Sequence, residues 1–124
     1  MSPDDREVVE RYFGAMRRKR EGIEDLVALF ADDAVYTEPF SAKTPATHTG
    51  KAEIGAFLRA MPENAPPDME VSVDRIDRDG ARIRAEWTCT SQAFPQPMRG
   101  VDLYDVKDGK ISRLETSLKE SSHG

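Results

Sequence analysis

The sequence predicts an α+β fold in which three N-terminal helices pack against a strongly curved, mainly antiparallel sheet. Three observations support this fold class. Apolar residues recur at helical spacing in three segments before residue 62. In the later segments they alternate with polar residues, and Asp-Gly pairs lie between segments where hairpin turns are expected. A sheet with one apolar face needs a cover, which the helices would provide.

The helices are predicted over residues 3–20, 23–31 and 51–61, each with apolar residues three or four positions apart. Ser2 is the expected N-cap of the first helix, and Pro3 is its expected first residue. Both residue types favour a helix start, because serine accepts a free backbone N–H and proline has none to satisfy.

The predicted ends of the second and third helices depend on helix-breaking residues. Asp32 and Asp33 are expected to end the second helix, and a short strand is expected at 34–37. Residues 40–50 include Ser, Lys, Pro, Thr and Gly and are interpreted as a loop. Prolines are expected to stop the third helix, because proline lacks the N–H that a continuing helix uses: Pro62, Pro66 and Pro67.

Four strands with period-two alternation are predicted in the second half of the chain, over 69–73, 83–89, 99–106 and 111–118. Residues 119–124 are expected to form a frayed tail. Two hairpins are predicted from their turn residues, Asp79-Gly80 and Asp108-Gly109.

Length and charge restrict the classes of function. The chain has 124 residues, which suits one domain over 1–124, and its formal net charge is −5. Nucleic-acid-binding proteins usually carry a basic excess, so we expect no nucleic-acid partner.

No apolar run approaches the roughly 20 residues of a membrane helix, and the N-terminus lacks the pattern of a secretory signal. We therefore expect a cytoplasmic protein that has no membrane partner.

Cysteine and histidine are too scarce for most metal sites. Cys89 is the one cysteine, which excludes an internal disulfide, and the histidines are His48 and His123. We therefore expect no metal and no other cofactor. His48 is interpreted as a loop residue, and Cys89 as a small core residue.

Three segments together resemble a known superfamily. They are VVERYF at 8–13, LVALFADDAVYTEPF at 26–40 with GKAEI at 50–54, and GVDLYDVKDGKI at 100–111. The chain resembles the NTF2-like (SnoaL-like) superfamily over nearly its whole length, and within it the ketosteroid isomerases most. The resemblance implies a cone-shaped fold with a hydrophobic pocket for a small apolar ligand, steroid-like or polyketide-like, and a homodimer.

The same resemblance implies catalytic residues. Tyr12 matches the oxyanion-hole tyrosine of the family's first helix, and Glu38 matches its general base, which is normally aspartate. Asp102 matches the carboxylic acid that donates the second hydrogen bond. Two departures are visible: Leu58 stands where the family has a supporting tyrosine, and the turn at 88–98 is longer than the family pattern.

These groups suit proton transfer next to a carbonyl, which needs a base near the C–H bond and donors aimed at the developing enolate oxygen. Burial raises the pKa of a carboxyl group. Glu38 would then be a better base near neutral pH, and Asp102 could stay protonated and donate. Ketosteroid isomerase is itself the established example of this arrangement.

Strand parity predicts which side chains share the pocket, because alternate residues of a strand point to opposite faces. If Asp102 points inward, Tyr104 does too, and Val101 and Leu103 lie on the outer face, where we expect the dimer contact. On the preceding strand, Cys89 shares one face with three other apolar residues. The predicted ligand-binding residues are Ile83, Ala85, Trp87 and Tyr104.

Three functions remain open at this point. The first is a ketosteroid isomerase-like enzyme, and the second is a non-catalytic small-molecule-binding domain on the same fold. The third is epoxide-hydrolase-like or polyketide-cyclase-like activity. The epoxide-hydrolase pattern has Arg and Asp two positions apart on one strand, whereas Arg99 and Asp102 are three apart.

Overall fold

The computed structural model describes residues 5–40 and 46–119. The predicted N-cap Ser2, the helix start at Pro3, and most of the predicted tail lie outside these residues. In chain order the helices are α1 Asp5–Arg17, a 3₁₀ helix Lys19–Gly22, α2 Ile23–Ala28 and α3 Lys51–Asn64. The strands are β1 Phe30–Glu38, β2 Ala46–Thr49, β3 Glu70–Asp79, β4 Arg82–Thr90, β5 Met98–Lys107 and β6 Lys110–Leu118.

The first helix ends at Arg17 rather than at residue 20, because the chain turns back on itself through the 3₁₀ helix. Lys19 adopts a left-handed backbone conformation with φ of 56°. Gly22 then lies against α1, where an added Cβ would come within 1.9 Å of the Ala15 carbonyl oxygen. This close approach requires glycine and brings α2 against α1.

The predicted boundary between the second helix and the first strand is wrong. Phe30, Asp32 and Asp33 lie in β1, which begins directly after a short α2. Phe30 is the Cα partner of Ile111 in the parallel pair β1–β6, and the register shifts between Phe30 and Val35. Phe30 is fully buried in β1, and its position also fits the helical spacing of the preceding apolar residues. Spacing alone therefore could not distinguish a helix from a strand that is fixed by a distant partner.

The predicted loop over 40–50 and the predicted end of α3 also need correction. Residues 46–49 form β2, which pairs antiparallel with β1 and places His48 opposite Tyr36. This strand depends on backbone pairing with β1, which its own composition does not specify.

The third helix, α3, continues through Pro62 to Asn64. A proline removes its own N–H donor, but the donors of the residues after it remain available.

The late strands and hairpins agree with the prediction. The described strands form one mixed sheet in the order β2-β1-β6-β5-β4-β3, in which only the β1–β6 pair is parallel. Both predicted hairpins are present, and their turn residues have positive φ: 63° at Gly80, 53° at Asp108 and 78° at Gly109. The prediction of a mainly antiparallel sheet is confirmed.

The helices cover the inner face of this sheet. From α1, buried side chains include Val8, Val9, Tyr12 and Phe13, and the facing strands bury Leu114 among others. The core lies between these two layers.

The outer face of β4–β6 is largely covered by ion pairs. Arg82 pairs with Asp105, and Glu86 pairs with Arg84 and Lys119. Val101 and Leu103, on the same face, are partly exposed. The predicted homodimer contact at these two residues stays a prediction.

Candidate functional site

An apolar cavity of about 480 Å³ lies between α1, α3 and the inner face of the sheet. Its walls include the aromatic side chains Phe13, Phe40, Phe57, Trp87 and Phe94, and the methionines Met16, Met61, Met69 and Met98. Four polar side chains also line it, namely Tyr12, Tyr36, Asp102 and Thr116. A mostly apolar cavity of this size with a few grouped polar atoms is typical of a small-molecule site.

Asp102 is the centre of the polar group. Its carboxyl group is 3% exposed and accepts three hydrogen bonds. Tyr104 Oη donates to Oδ2 at 2.7 Å, while Trp87 Nε1 and Thr116 Oγ1 donate to Oδ1 at 2.9 and 2.8 Å. Burial raises the pKa of Asp102, and the three donors oppose that rise without cancelling it. The carboxyl group therefore keeps its proton to a higher pH than an exposed aspartate does.

The strand register explains why these donors meet at Asp102. Asp102 on β5 lies between Ala85 on β4 and Thr116 on β6. Trp87 faces Gly100, and a Cβ added to Gly100 would be 2.1 Å from Trp87 Cζ2. Glycine at position 100 therefore leaves room for the indole ring to lie over β5 and reach the carboxyl group of Asp102.

Tyr12 and Tyr36 bring two hydroxyl groups to the same end of the cavity. Burial raises the pKa of both, and their hydroxyls also affect one another's pKa through hydrogen bonding. Asp102 in its ionised form raises both pKa values further. Both side chains therefore stay protonated and can donate a hydrogen bond at neutral pH.

Tyr36 provides a hydroxyl that the sequence analysis did not assign. Leu58, at the position of the family's supporting tyrosine, is fully buried. The partner hydroxyl of Tyr12 comes instead from β1, two residues before Glu38. Because side chains alternate along a strand, Tyr36 and Glu38 share the inner face, and this period-two signal was present in the sequence.

Glu38 is fully buried but is not among the described residues that line the cavity. Its Oε1 accepts the Phe40 backbone N–H at 2.6 Å, and its Oε2 lies 2.9 Å from His48 Nε2. The charge of Glu38 raises the pKa of Tyr36, so these two side chains are neighbours. Tyr12 and Asp102 thus share the cavity, and Glu38 lies beside it, next to two lining residues, Tyr36 and Phe40.

His48 lies on β2, where the sequence analysis expected a loop residue. Its ring stacks on Phe57 with centroids 4.6 Å apart and an interplanar angle of 26°. Threonines flank it in the sequence, and a β-branched residue on each side of an inward residue is compatible with a strand. That signal was weak because prolines and other loop residues precede it.

Of the predicted ligand-binding residues, Trp87 lines the cavity, whereas Ile83, Ala85 and Tyr104 are buried in the core beside it. Their side chains lie on the inner face of the sheet, in the part that α1 covers. The Tyr104 ring packs edge-on against Tyr12 and Phe13, with centroid distances of 5.5 and 6.5 Å. Tyr104 contacts the site through its hydrogen bond to Asp102.

A second cleft of about 570 Å³ adjoins the cavity, and the two share Met16, Met61 and the 65–69 segment as part of their walls.

Within residues 5–40 and 46–119, no group of three or more His, Cys, Asp or Glu side chains is placed to hold a metal ion. In the same residues, no helix is long and apolar enough to cross a membrane.

Helices over a curved six-stranded mixed sheet with an internal cavity define an NTF2-like fold. The chain belongs to the SnoaL-like domain family, whose model matches residues 9–114. The predicted superfamily and fold class are therefore confirmed. A search of curated proteins finds no match.

Solved structures with the same fold include proteins linked to two chemistries. A proposed ketosteroid isomerase from Kribbella flavida DSM 17836 is 25% identical, with a TM-score of 0.76 over 97% of this chain and 81% of that one. A proposed polyketide cyclase from Sinorhizobium meliloti is 23% identical, with a TM-score of 0.75 over 90% and 94%. TerC, co-crystallised with polyporic acid, is 19% identical, with a TM-score of 0.73 over 93% and 91%.

Proposed function

We propose that this protein is a ketosteroid isomerase-like enzyme that moves a proton next to the carbonyl of a flat, largely apolar substrate. The observation that carries the proposal is the buried Asp102 carboxyl group beside the Tyr12 and Tyr36 hydroxyls, on the wall of an otherwise apolar cavity. The Tyr12 and Tyr36 hydroxyls are donors that suit an oxygen gaining negative charge during reaction. Asp102 adds a third donor only in its protonated form, which burial favours.

In this proposal the substrate's carbonyl oxygen lies near Tyr12 and Asp102. Glu38 removes a proton from the neighbouring carbon, and the electron pair of that C–H bond forms an enolate whose charge rests on the oxygen. Glu38 then returns the proton to another carbon of the conjugated system, so the product is an isomer of the substrate. The reaction requires no cofactor or co-reactant, because the proton that Glu38 removes returns to the same molecule.

Glu38 needs access to the substrate for this role. Phe40, whose backbone N–H binds Glu38 Oε1, lines the cavity and is 42% exposed. Its ring lies 6.4 Å from the Trp87 ring. We expect an entering substrate to displace the Phe40 ring and so open the cavity to the carboxylate of Glu38, while the hydrogen bonds of that carboxylate stay in place.

The experiment combines binding and turnover. Planar phenols that imitate an enolate should bind and change the fluorescence of Trp87, the one tryptophan in the sequence. A β,γ-unsaturated ketone should be converted to its conjugated isomer, and Glu38→Gln should lower that rate by about 10²–10⁴-fold. A rate that is unchanged in the Glu38→Gln variant would overturn the proposal.

A non-catalytic ligand-binding role is the second candidate, because Glu38 lies off the cavity wall and its carboxylate already has hydrogen-bond partners. Phenol binding without turnover of any ketone would favour it. The epoxide-hydrolase pattern has less support, since Arg99 is exposed on the opposite face from Asp102.

A further inference from the structure

Glu38 and His48 form a buried pair on the inner face of the β1–β2 edge. Tyr36 is the direct Cα partner of His48, so Glu38, two residues further along β1, is its diagonal neighbour on the same face. The Glu38 side chain is fully buried, whereas the His48 side chain is 21% exposed. The contact of 2.9 Å between Oε2 and Nε2 is therefore shielded on the glutamate side.

The protonation of this contact follows from chemistry. An ionised carboxylate can only accept hydrogen bonds, so His48 must carry its proton on Nε2 when Glu38 is ready to act as a base. The Phe40 N–H binds the other oxygen at 2.6 Å. Donors on both oxygens fix the plane of the carboxylate.

The imidazole ring is itself held in place. It stacks on Phe57 of α3, and its centroid lies 6.2 Å from that of Tyr36. Both Phe57 and Tyr36 line the cavity. His48 therefore connects the wall of the cavity with the orientation of Glu38 without lining the cavity itself.

We propose that His48 is the positioning residue of Glu38, and that its Nε2–H holds the carboxylate in the orientation from which the base acts. This inference rests on the proposed function, in which Glu38 is the general base. It goes further by assigning to His48 a hydrogen-bonding role that the ketosteroid isomerase resemblance did not supply.

Two substitutions separate hydrogen bonding from stacking. His48→Phe keeps an aromatic ring against Phe57 but removes the donor, and it should lower kcat by about 10²-fold while KM changes little. His48→Gln keeps an N–H donor but does not stack, and it should stay within about threefold of wild type. The opposite order, with His48→Phe active and His48→Gln impaired, would overturn the proposal in favour of a packing role.

A double-mutant cycle tests whether His48 acts through Glu38. His48→Phe should have almost no further effect on kcat when combined with Glu38→Gln. Multiplicative losses would show independent roles and overturn the proposal. Glu53→Gln is the matched control, because Glu53 accepts the N–H of Thr49 beside His48 and has no place in the proposed site.

A measurement without turnover keeps this inference separate from the proposed function. At neutral pH the ¹⁵N signals of the His48 ring in the wild-type protein should indicate a protonated Nε2 and should shift in Glu38→Gln. If no ketone turns over but these signals shift, the proposed function fails while the pairing stands. Ring signals that are unchanged by Glu38→Gln would overturn the positioning role.

Discussion

The two carboxyl groups near the cavity are held in different ways. Asp102 lies on β5, inside the sheet, and takes its three donors from β4, β5 and β6. Glu38 lies at the end of β1, next to the edge strand β2, and takes a donor from the backbone two residues further on. The part of the site around Asp102, here called the Asp102 end, is thus fixed by strand register. The part around Glu38, the Glu38 end, depends on a local turn and on the imidazole ring of His48.

This difference suits the two proposed roles. Donors that stabilise a developing charge are most effective when they are already in place before reaction. A base that must meet a substrate entering past Phe40 needs a site that can open. Variants at the Asp102 end can be compared with variants at the Glu38 end, where Glu38→Gln is the reference variant.

The largest expected effect at the Asp102 end is on catalysis. Tyr12→Phe should lower turnover by about 10²–10³-fold, because it removes an oxyanion donor, with a smaller effect on phenol affinity. Tyr36→Phe should have a smaller effect, since it leaves the Tyr12 hydroxyl in place. Steady-state kinetics on the same ketone would test this, and equal losses in both variants would contradict separate roles for the two hydroxyls.

The next effect is on stability, through the packing of Trp87 over Gly100. Gly100→Ala should destabilise the fold by about 1–3 kcal/mol, because the added Cβ would overlap the indole ring. Gly14→Ala is the control: in α1 it meets no atom within 4 Å and should stabilise by about 0.5–1 kcal/mol. Urea denaturation would measure both, and a neutral Gly100→Ala would show that Trp87 moves freely.

The smallest expected effect is a dependence of stability on pH. Burial raises the pKa of Asp102 above 3.8, so the folded state binds that proton more tightly than the unfolded state does. This contribution to stability is complete below the unfolded pKa and is lost as pH rises through the folded one. Relative to Asp102→Asn, the wild-type protein should lose about 1.4 kcal/mol for each unit by which the pKa is raised. Denaturation curves of the two proteins at several pH values would test this, and a constant difference would contradict it.

Much of the Asp102 end could be predicted from the sequence. Period-two alternation put Asp102 and Tyr104 on one shared face of their strand and Trp87 on the apolar face of the preceding strand, and two Asp-Gly pairs located the hairpins. These features are local, because a strand's alternation and a turn's positive φ depend on neighbouring residues. The sequence therefore determined the late strands, the side chains that share a face on each of them and, through the three resembling segments, the superfamily.

Only the tertiary structure decided which inward residues reach the cavity and what Glu38 contacts. Ile83, Ala85 and Tyr104 point inward, but α1 lies over this part of the sheet. His48 meets Glu38 because β2 pairs with β1, and Tyr36 meets Tyr12 because α1 lies across the sheet. These contacts join residues on different elements, so their geometry depends on strand register and helix placement, which no local pattern specifies.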